Sequence, residues 1–239
     1  MLVDEGKVEW DAPVARYLPE FELAIDAQHE GDVLTVRDLL CHRTGFTRMS
    51  VLWAAGTADR ALIMETAAKA EPLAPFRKEF HYNNVMFLVA GEVIGAASES
   101  SWENFMQARL LGPLDMKASN LSVRVAQKSE QLALGYRWNG EKQAFERDPM
   151  RSLDAIAAAG AINSNVLDMS RWIRFQLDRG EFEGVRLLSG KNLEETWKPV
   201  IDVGAGLSYG LGWFIGTWHG HRVLQHGGNI DGFSAMVAL

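Results

Sequence analysis

Past residue 205 the hydrophobic pattern changes, and that change limits the possible folds more than any other feature of the chain. Ahead of it, apolar residues recur at helical spacing. Beyond it, short apolar runs alternate with glycine-rich turns. Three short strands therefore trail a mostly helical body. Thr35 can cap a short helix through Leu39 and Leu40, with Asp38 in its first turn and Gly45 beyond its end. Further helices are expected over 59–70, 85–97, 102–111, 166–177 and 189–197, with 112–113 (Gly-Pro) and Pro199 as stops. Strands are expected over 209–215, 221–226 and 233–239. The expected division is therefore a mostly helical part, 1–205, and an antiparallel part, 206–239. Residues 233–239 carry no charge and have no following strand to cover them, so self-association through an open sheet edge is expected.

Composition removes several classes of function. Apolar types make up 47% and charged types 23% of 239 residues, the balance of a globular protein. A net charge of −7 opposes a phosphate-neutralising surface, so nucleic acid is not an expected partner. No apolar run approaches the ~18–20 residues of a membrane span. Residues 1–7 show no basic start followed by an apolar block, so no signal peptide is visible in them. Cys41 is the single cysteine, which excludes an internal disulfide framework and a cysteine-rich zinc site.

Gly206-Leu207-Ser208-Tyr209-Gly210 matches the G-x-S-x-G pattern of a nucleophile elbow. An elbow needs a strand before it, a helix after it, and then an acid and a histidine in order. Here a strand-like run follows, and no histidine lies beyond Asp231, so a glycine turn entering a strand is the better reading. His219, His221 and His226 raise the question of a metal. No Asp, Glu or Cys joins them before Asp231, and a His- and Gly-rich turn explains them as well.

Two other segments carry more. Tyr82 and Asn84 are two residues apart on an extended approach to a buried helix, so their side chains can share a cavity. The simpler alternative is that Asn84 caps that helix and Tyr82 is a half-buried aromatic. In His226-Gly227-Gly228-Asn229, a polar side chain precedes two residues without Cβ, which lets a ligand approach the strand backbone.

Taken in order, Leu39-Leu40-Cys41-His42-Arg43-Thr44-Gly45-Phe46, Tyr82-x-Asn84, Gly112-Pro113-Leu114-Asp115-Met116, Ala158-Ala159-Gly160-Ala161-Ile162-Asn163-Ser164, Asp168-Met169-Ser170-Arg171-Trp172, Tyr209-Gly210-Leu211-Gly212-Trp213 and His226-Gly227-Gly228 form a recognisable series. It resembles the class C β-lactamase superfamily of penicillin-recognising serine hydrolases, with its D-alanyl-D-alanine carboxypeptidases, D-aminopeptidases and family VIII carboxylesterases. The resemblance runs over essentially the whole chain. It implies a β-lactamase/transpeptidase-like α+β fold and hydrolysis of an ester, peptide or β-lactam substrate through an acyl-serine. It implies no metal and no organic cofactor.

The resemblance also assigns roles. Tyr82 would pass a proton between nucleophile and leaving group, and Asn84 would hold the substrate carbonyl. His226 stands where many relatives have the lysine of K-T-G, which favours a D-amino-acid peptide or ester over a β-lactam. Gly228 and the backbone N–H of Asn229 would lie on the oxyanion side. The family nucleophile sits in S-x-x-K, yet none of the thirteen serines here has lysine three positions on. The chain therefore reads as a piece that lacks this segment and the last strands, predicted inactive by itself. The alternative is a non-catalytic relative that keeps the cleft for binding or self-assembly.

Overall fold

The first helix starts where Thr35 can hold it. In the computed structural model, which describes all 239 residues, α1 (Val36–Leu39) opens on a capping box. The Thr35 side chain accepts from the Asp38 N–H, and the Asp38 carboxylate accepts from the Thr35 N–H. Asp38 is fully buried, and Arg43 and Arg77 each donate to it at 2.7 Å. Burial pushes its carboxyl up, but Arg77, Arg43 and Thr35 outweigh that and hold it below the usual carboxylate range.

Asp59 caps α2 (Arg60–Ala68). The long α3 (Asn84–Ser98) begins one residue earlier than an Asn84 cap would place it. Asn83 is the cap, its Oδ1 accepting from the Val85 N–H at 2.8 Å. This corrects the simpler reading of Asn84, which is the first helical residue and makes no side-chain hydrogen bond. α4 (Trp102–Met106) continues into a π-helical stretch, Gln107–Leu111. After α5 (Val123–Ala126) comes a hairpin of β1 (Tyr136–Asn139) and β2 (Ala144–Arg147), then α6 (Ala157–Gly160) and α7 (Val166–Leu177). A two-residue ladder, β3 (Glu181–Phe182) with β4 (Val185–Arg186), leads to α8 (Gly190–Thr196), which Ser189 caps.

The main core is a cluster of 28 buried residues to which α3 contributes Val85, Met86, Leu88, Val89, Ala90 and Val93. Each such large side chain contributes ~1.5–3 kcal/mol by leaving water. A Cβ on Gly91 would stand 2.6 Å from the Ala158 Cβ, so α3 meets α6 closely only because position 91 has no side chain.

The sheet has five strands, not three: β5 (Ile201–Gly204), β6 (Leu207–Tyr209), β7 (Phe214–Trp218), β8 (His221–Ile230) and β9 (Phe233–Ala238). All pair antiparallel, in chain order. The expected strand over 209–215 is two strands, because Gly212 at φ +90° turns the chain between Tyr209 and Phe214. β8 runs on past His226, since β9 pairs with it as far as Ile230 opposite Phe233. β5 lies ahead of the change in texture and within the stretch read as helical. Ile215 and Leu224, opposite one another, pack with Trp213 against Trp172 of α7 and Trp197, which joins the sheet to the helical part.

Candidate active site

Two loops from the helical part and three strands of the sheet, β6, β7 and β8, converge on a group of aromatic rings. His42 follows α1 with φ +58°, a left-handed conformation that histidine tolerates better than most residues. Its carbonyl accepts the His81 N–H at 2.8 Å, and its Nδ1 accepts the Asn83 N–H at 3.0 Å. These bonds lay the 80–83 segment against His42 and stack Tyr82 on the imidazole, centroid to centroid 4.1 Å. Tyr209, the last residue of β6, lies 4.8 Å from the same ring.

β8 brings His226 to this group. Its ring is 6.1 Å from Tyr82 and 5.5 Å from Phe214, and its Nε2 is 3.1 Å from the Tyr209 hydroxyl. Side chains alternate along a strand, so His226 and Gly228 share a face of β8. The place a Gly228 Cβ would take is open, whereas a Gly227 Cβ would meet Met236 on the other face.

The backbone of β8 supplies donors as well. Leu224 and Leu239 exchange both backbone hydrogen bonds. In an antiparallel ladder bonded pairs alternate, so the N–H groups of Gly227 and Asn229 point away from β9. On that side β7 ends at Phe214, opposite Gln225. Both N–H groups therefore lie beyond the reach of the β7 ladder.

Burial sets the charge states. It pushes His226 below the ordinary histidine range, leaving a neutral imidazole at pH 7. His42 is lowered to about 3, by burial first and then by His226 and Arg48. Tyr209 is raised well above the usual phenol range. Burial also raises Tyr82, and Arg48 pulls it only partly back, so Tyr82 stays a neutral phenol. Burial pushes the Cys41 thiol up to about 12, so it is no nucleophile near neutrality. Ser208 lies inside β6, opposite Asp202 and Ile215, and not on an elbow. His219 is in the β7–β8 turn at φ +47°, and no cluster of three or more His, Cys, Asp or Glu side chains is placed to hold a metal.

The hydrogen bonds separate supporting residues from available ones. Asn83 is fully buried, with Oδ1 on α3 and Nδ2 donating to the Thr47 carbonyl at 2.7 Å. The half-buried Tyr82 and Asn84 have no side-chain hydrogen bond within the chain, so both are free to meet a ligand. Sequence reasoning singled out Tyr82, Asn84, His226, Gly228 and Asn229. The structure brings Tyr82 and His226 together and places Gly228 and Asn229 further along the same strand. It adds His42 and Tyr209, both within quoted motifs but given no role, and Phe80, Phe214 and Arg48, which no spacing marked.

A helical unit docked on an antiparallel meander, with a Tyr-x-Asn segment facing a His-Gly-Gly strand, is the β-lactamase/transpeptidase-like α+β fold. A family model described as Beta-lactamase matches residues 1–239, and the chain belongs to that family. The unguisins hydrolase ungD′ of Aspergillus campestris is 28% identical over 253 residues, which cover 100% of this chain and 47% of that protein. Protein flp of Staphylococcus aureus is 24% identical over 242 residues, 100% of this chain and 46% of that protein. The chain spans about half the length of the curated relatives it matches. Among solved structures, the octameric penicillin-binding protein homologue from Pyrococcus abyssi has a TM-score of 0.83 at 22% identity, covering 100% of this chain and 55% of that one. A D-stereospecific amidohydrolase from Streptomyces sp. has a TM-score of 0.81 at 23% identity, covering 100% and 73%. No helix is long and apolar enough to cross a membrane.

Proposed function

We propose that this chain forms the substrate-side walls of a hydrolase that cleaves an ester or amide bond through an acyl-serine. D-amino-acid peptides and carboxylic esters are the favoured substrates, ahead of β-lactams. One observation carries this reading: Tyr82 and His226, far apart in sequence, converge at 6.1 Å, with the Tyr82 hydroxyl free of internal partners. Tyr82 relays the proton, the Asn84 amide holds the substrate carbonyl, and the Asn229 N–H donates to the developing oxyanion beside the open face of Gly228. His226, neutral and bonded to Tyr209, orients the substrate by hydrogen bonding, since it lacks the fixed charge a lysine would bring. The unguisins hydrolase among the similar proteins supports hydrolysis.

The acyl-serine step requires an S-x-x-K segment from outside these 239 residues. In a product carrying that segment, Tyr82→Phe is expected to lower kcat/KM on a 4-nitrophenyl ester by ~10²–10³, within the range for lost acid–base catalysis. A Tyr82→Phe product as active as the parent would overturn the assignment.

A second reading is a non-catalytic scaffold, supported by the edge strand β9, which pairs only with β8. Edge strands present unpaired backbone groups that recruit a second chain. Met236 on β9 is 65% exposed. Light scattering after size exclusion should show a mass above the monomer that rises with concentration, and Met236→Lys should shift it toward the monomer. A wild-type chain that stays monomeric at every concentration rules out assembly through this edge.

A further inference from the structure

Tyr209 is fully buried, with its ring closed in by His42, Phe80 and Phe214 at 4.8, 5.4 and 4.7 Å. Its hydroxyl has a single polar partner, His226 Nε2, at 3.1 Å. Burial first, then Tyr82 and Cys41, raise this phenol well above its usual range, so the O–H keeps its proton. If the buried hydroxyl accepted from Nε2, its own proton would have no acceptor, whereas a hydroxyl that donates to Nε2 is satisfied. Tyr209 is therefore the donor and Nε2 the acceptor.

A neutral imidazole has one N–H and one lone pair, and the bond made at one nitrogen decides the state of the other. With its Nε2 lone pair taken, His226 carries its proton on Nδ1. His42 is the reverse case in the same group of rings. Its Nδ1 accepts the Asn83 N–H at 3.0 Å, so its proton is on Nε2, which is buried without a partner in the chain. The two histidines packed on Tyr209 are thus held as opposite tautomers.

We infer that Tyr209 is a positioning residue of the cleft: by donating to Nε2 it fixes His226 as an Nδ1–H donor and withholds its lone pair from base work, which leaves proton transfer to Tyr82. The inference rests on the hydrolase reading of the Tyr82–His226 cleft and assigns the residue that sets the role of His226 in it. Long-range ¹H–¹⁵N spectra of the imidazoles at pH 7.5 read the tautomers directly, because protonated and unprotonated ring nitrogens resonate far apart. Wild type should show an unprotonated Nε2 on His226 and an unprotonated Nδ1 on His42, each serving as a control for the other. Tyr209→Phe keeps the buried ring and deletes the hydroxyl. It should move His226 toward the Nε2–H form and leave His42 unchanged. N-acetyl-D-alanine methyl ester, titrated into wild type, should shift the His226 Nδ1 and Tyr82 resonances. Tyr209→Phe should weaken that binding by about 3–10-fold, the size of one misplaced hydrogen bond.

A wild-type His226 protonated on Nε2 would overturn the role of Tyr209 while leaving the cleft reading intact. A His226 tautomer that Tyr209→Phe does not move would do the same, making the tyrosine a packing residue only. If His226 is the Nδ1–H form but neither it nor Tyr82 responds to the ester, the cleft reading falls and the role of Tyr209 falls with it. The wild-type tautomer is read without any variant, so the inference stays open to refutation even should Tyr209→Phe fail to fold.

Discussion

Incubated with a chromogenic ester or a β-lactam, the 239-residue chain is expected to gain no mass. An acyl-serine needs a hydroxyl whose proton a nearby base accepts, and the family supplies that base as the lysine of S-x-x-K. None of the thirteen serines has that lysine. Ser208, the one serine in an elbow-like pattern, is held in the β6 ladder between Asp202 and Ile215. Cys41 cannot substitute, because its thiol is buried and stays protonated. Intact-mass spectrometry checks this directly, and an adduct on any of these thirteen serines overturns the reading that the nucleophile comes from an S-x-x-K segment outside them. Supplying an S-x-x-K segment ahead of residue 1 should turn the result from no adduct to stoichiometric labelling of the new serine.

Acid should weaken the fold through His42. An unfolded histidine takes up a proton near pH 6.5, while folded His42 resists it until about 3. Between those values the unfolded chain binds the extra proton and the folded chain does not. Stability is therefore fully present above pH 6.5 and is lost progressively as pH falls toward 3. The difference of about 3.5 pKa units corresponds to roughly 4–5 kcal/mol. Protonating Nδ1 would also break its bond from the Asn83 N–H, which holds the 80–83 segment in place. Urea midpoints from pH 7.5 to 4 should fall in wild type. His42→Asn, which tolerates the left-handed backbone and does not titrate, should flatten that part of the slope. An unchanged slope in His42→Asn would assign the acid sensitivity elsewhere, Asp38 included.

Local signals were legible where one side chain performs one local task. Thr35 caps α1 as its sequence context predicts, and the helices expected from 59, 102, 166 and 189 start within a residue of those positions, because each start depends on no distant residue. Asn83 and Asn84 show where that approach stops. Either could cap α3, and the choice is settled by tertiary contacts, since Asn83 also reaches Thr47 and its N–H reaches His42. The β1–β2 hairpin escaped notice because its side chains are mostly exposed, and β5 because four residues after a proline show no period. Tyr82, Asn84 and His226 were found through ordered motifs and not through spacing. Arg48 belongs to no pattern, and only its position over the Tyr82 ring distinguishes it.

The order of the main sheet, β5-β6-β7-β8-β9, has a kinetic side. Every strand pairs with its neighbour in sequence, so each addition closes only a short loop, and loop-closure entropy grows with loop length. Topologies with such local contacts are the ones that form fastest. The site is the opposite case: Tyr82 must find His226, and His42 must find Tyr209, across more than a hundred intervening residues. A chain built this way can complete its sheet before its cleft exists.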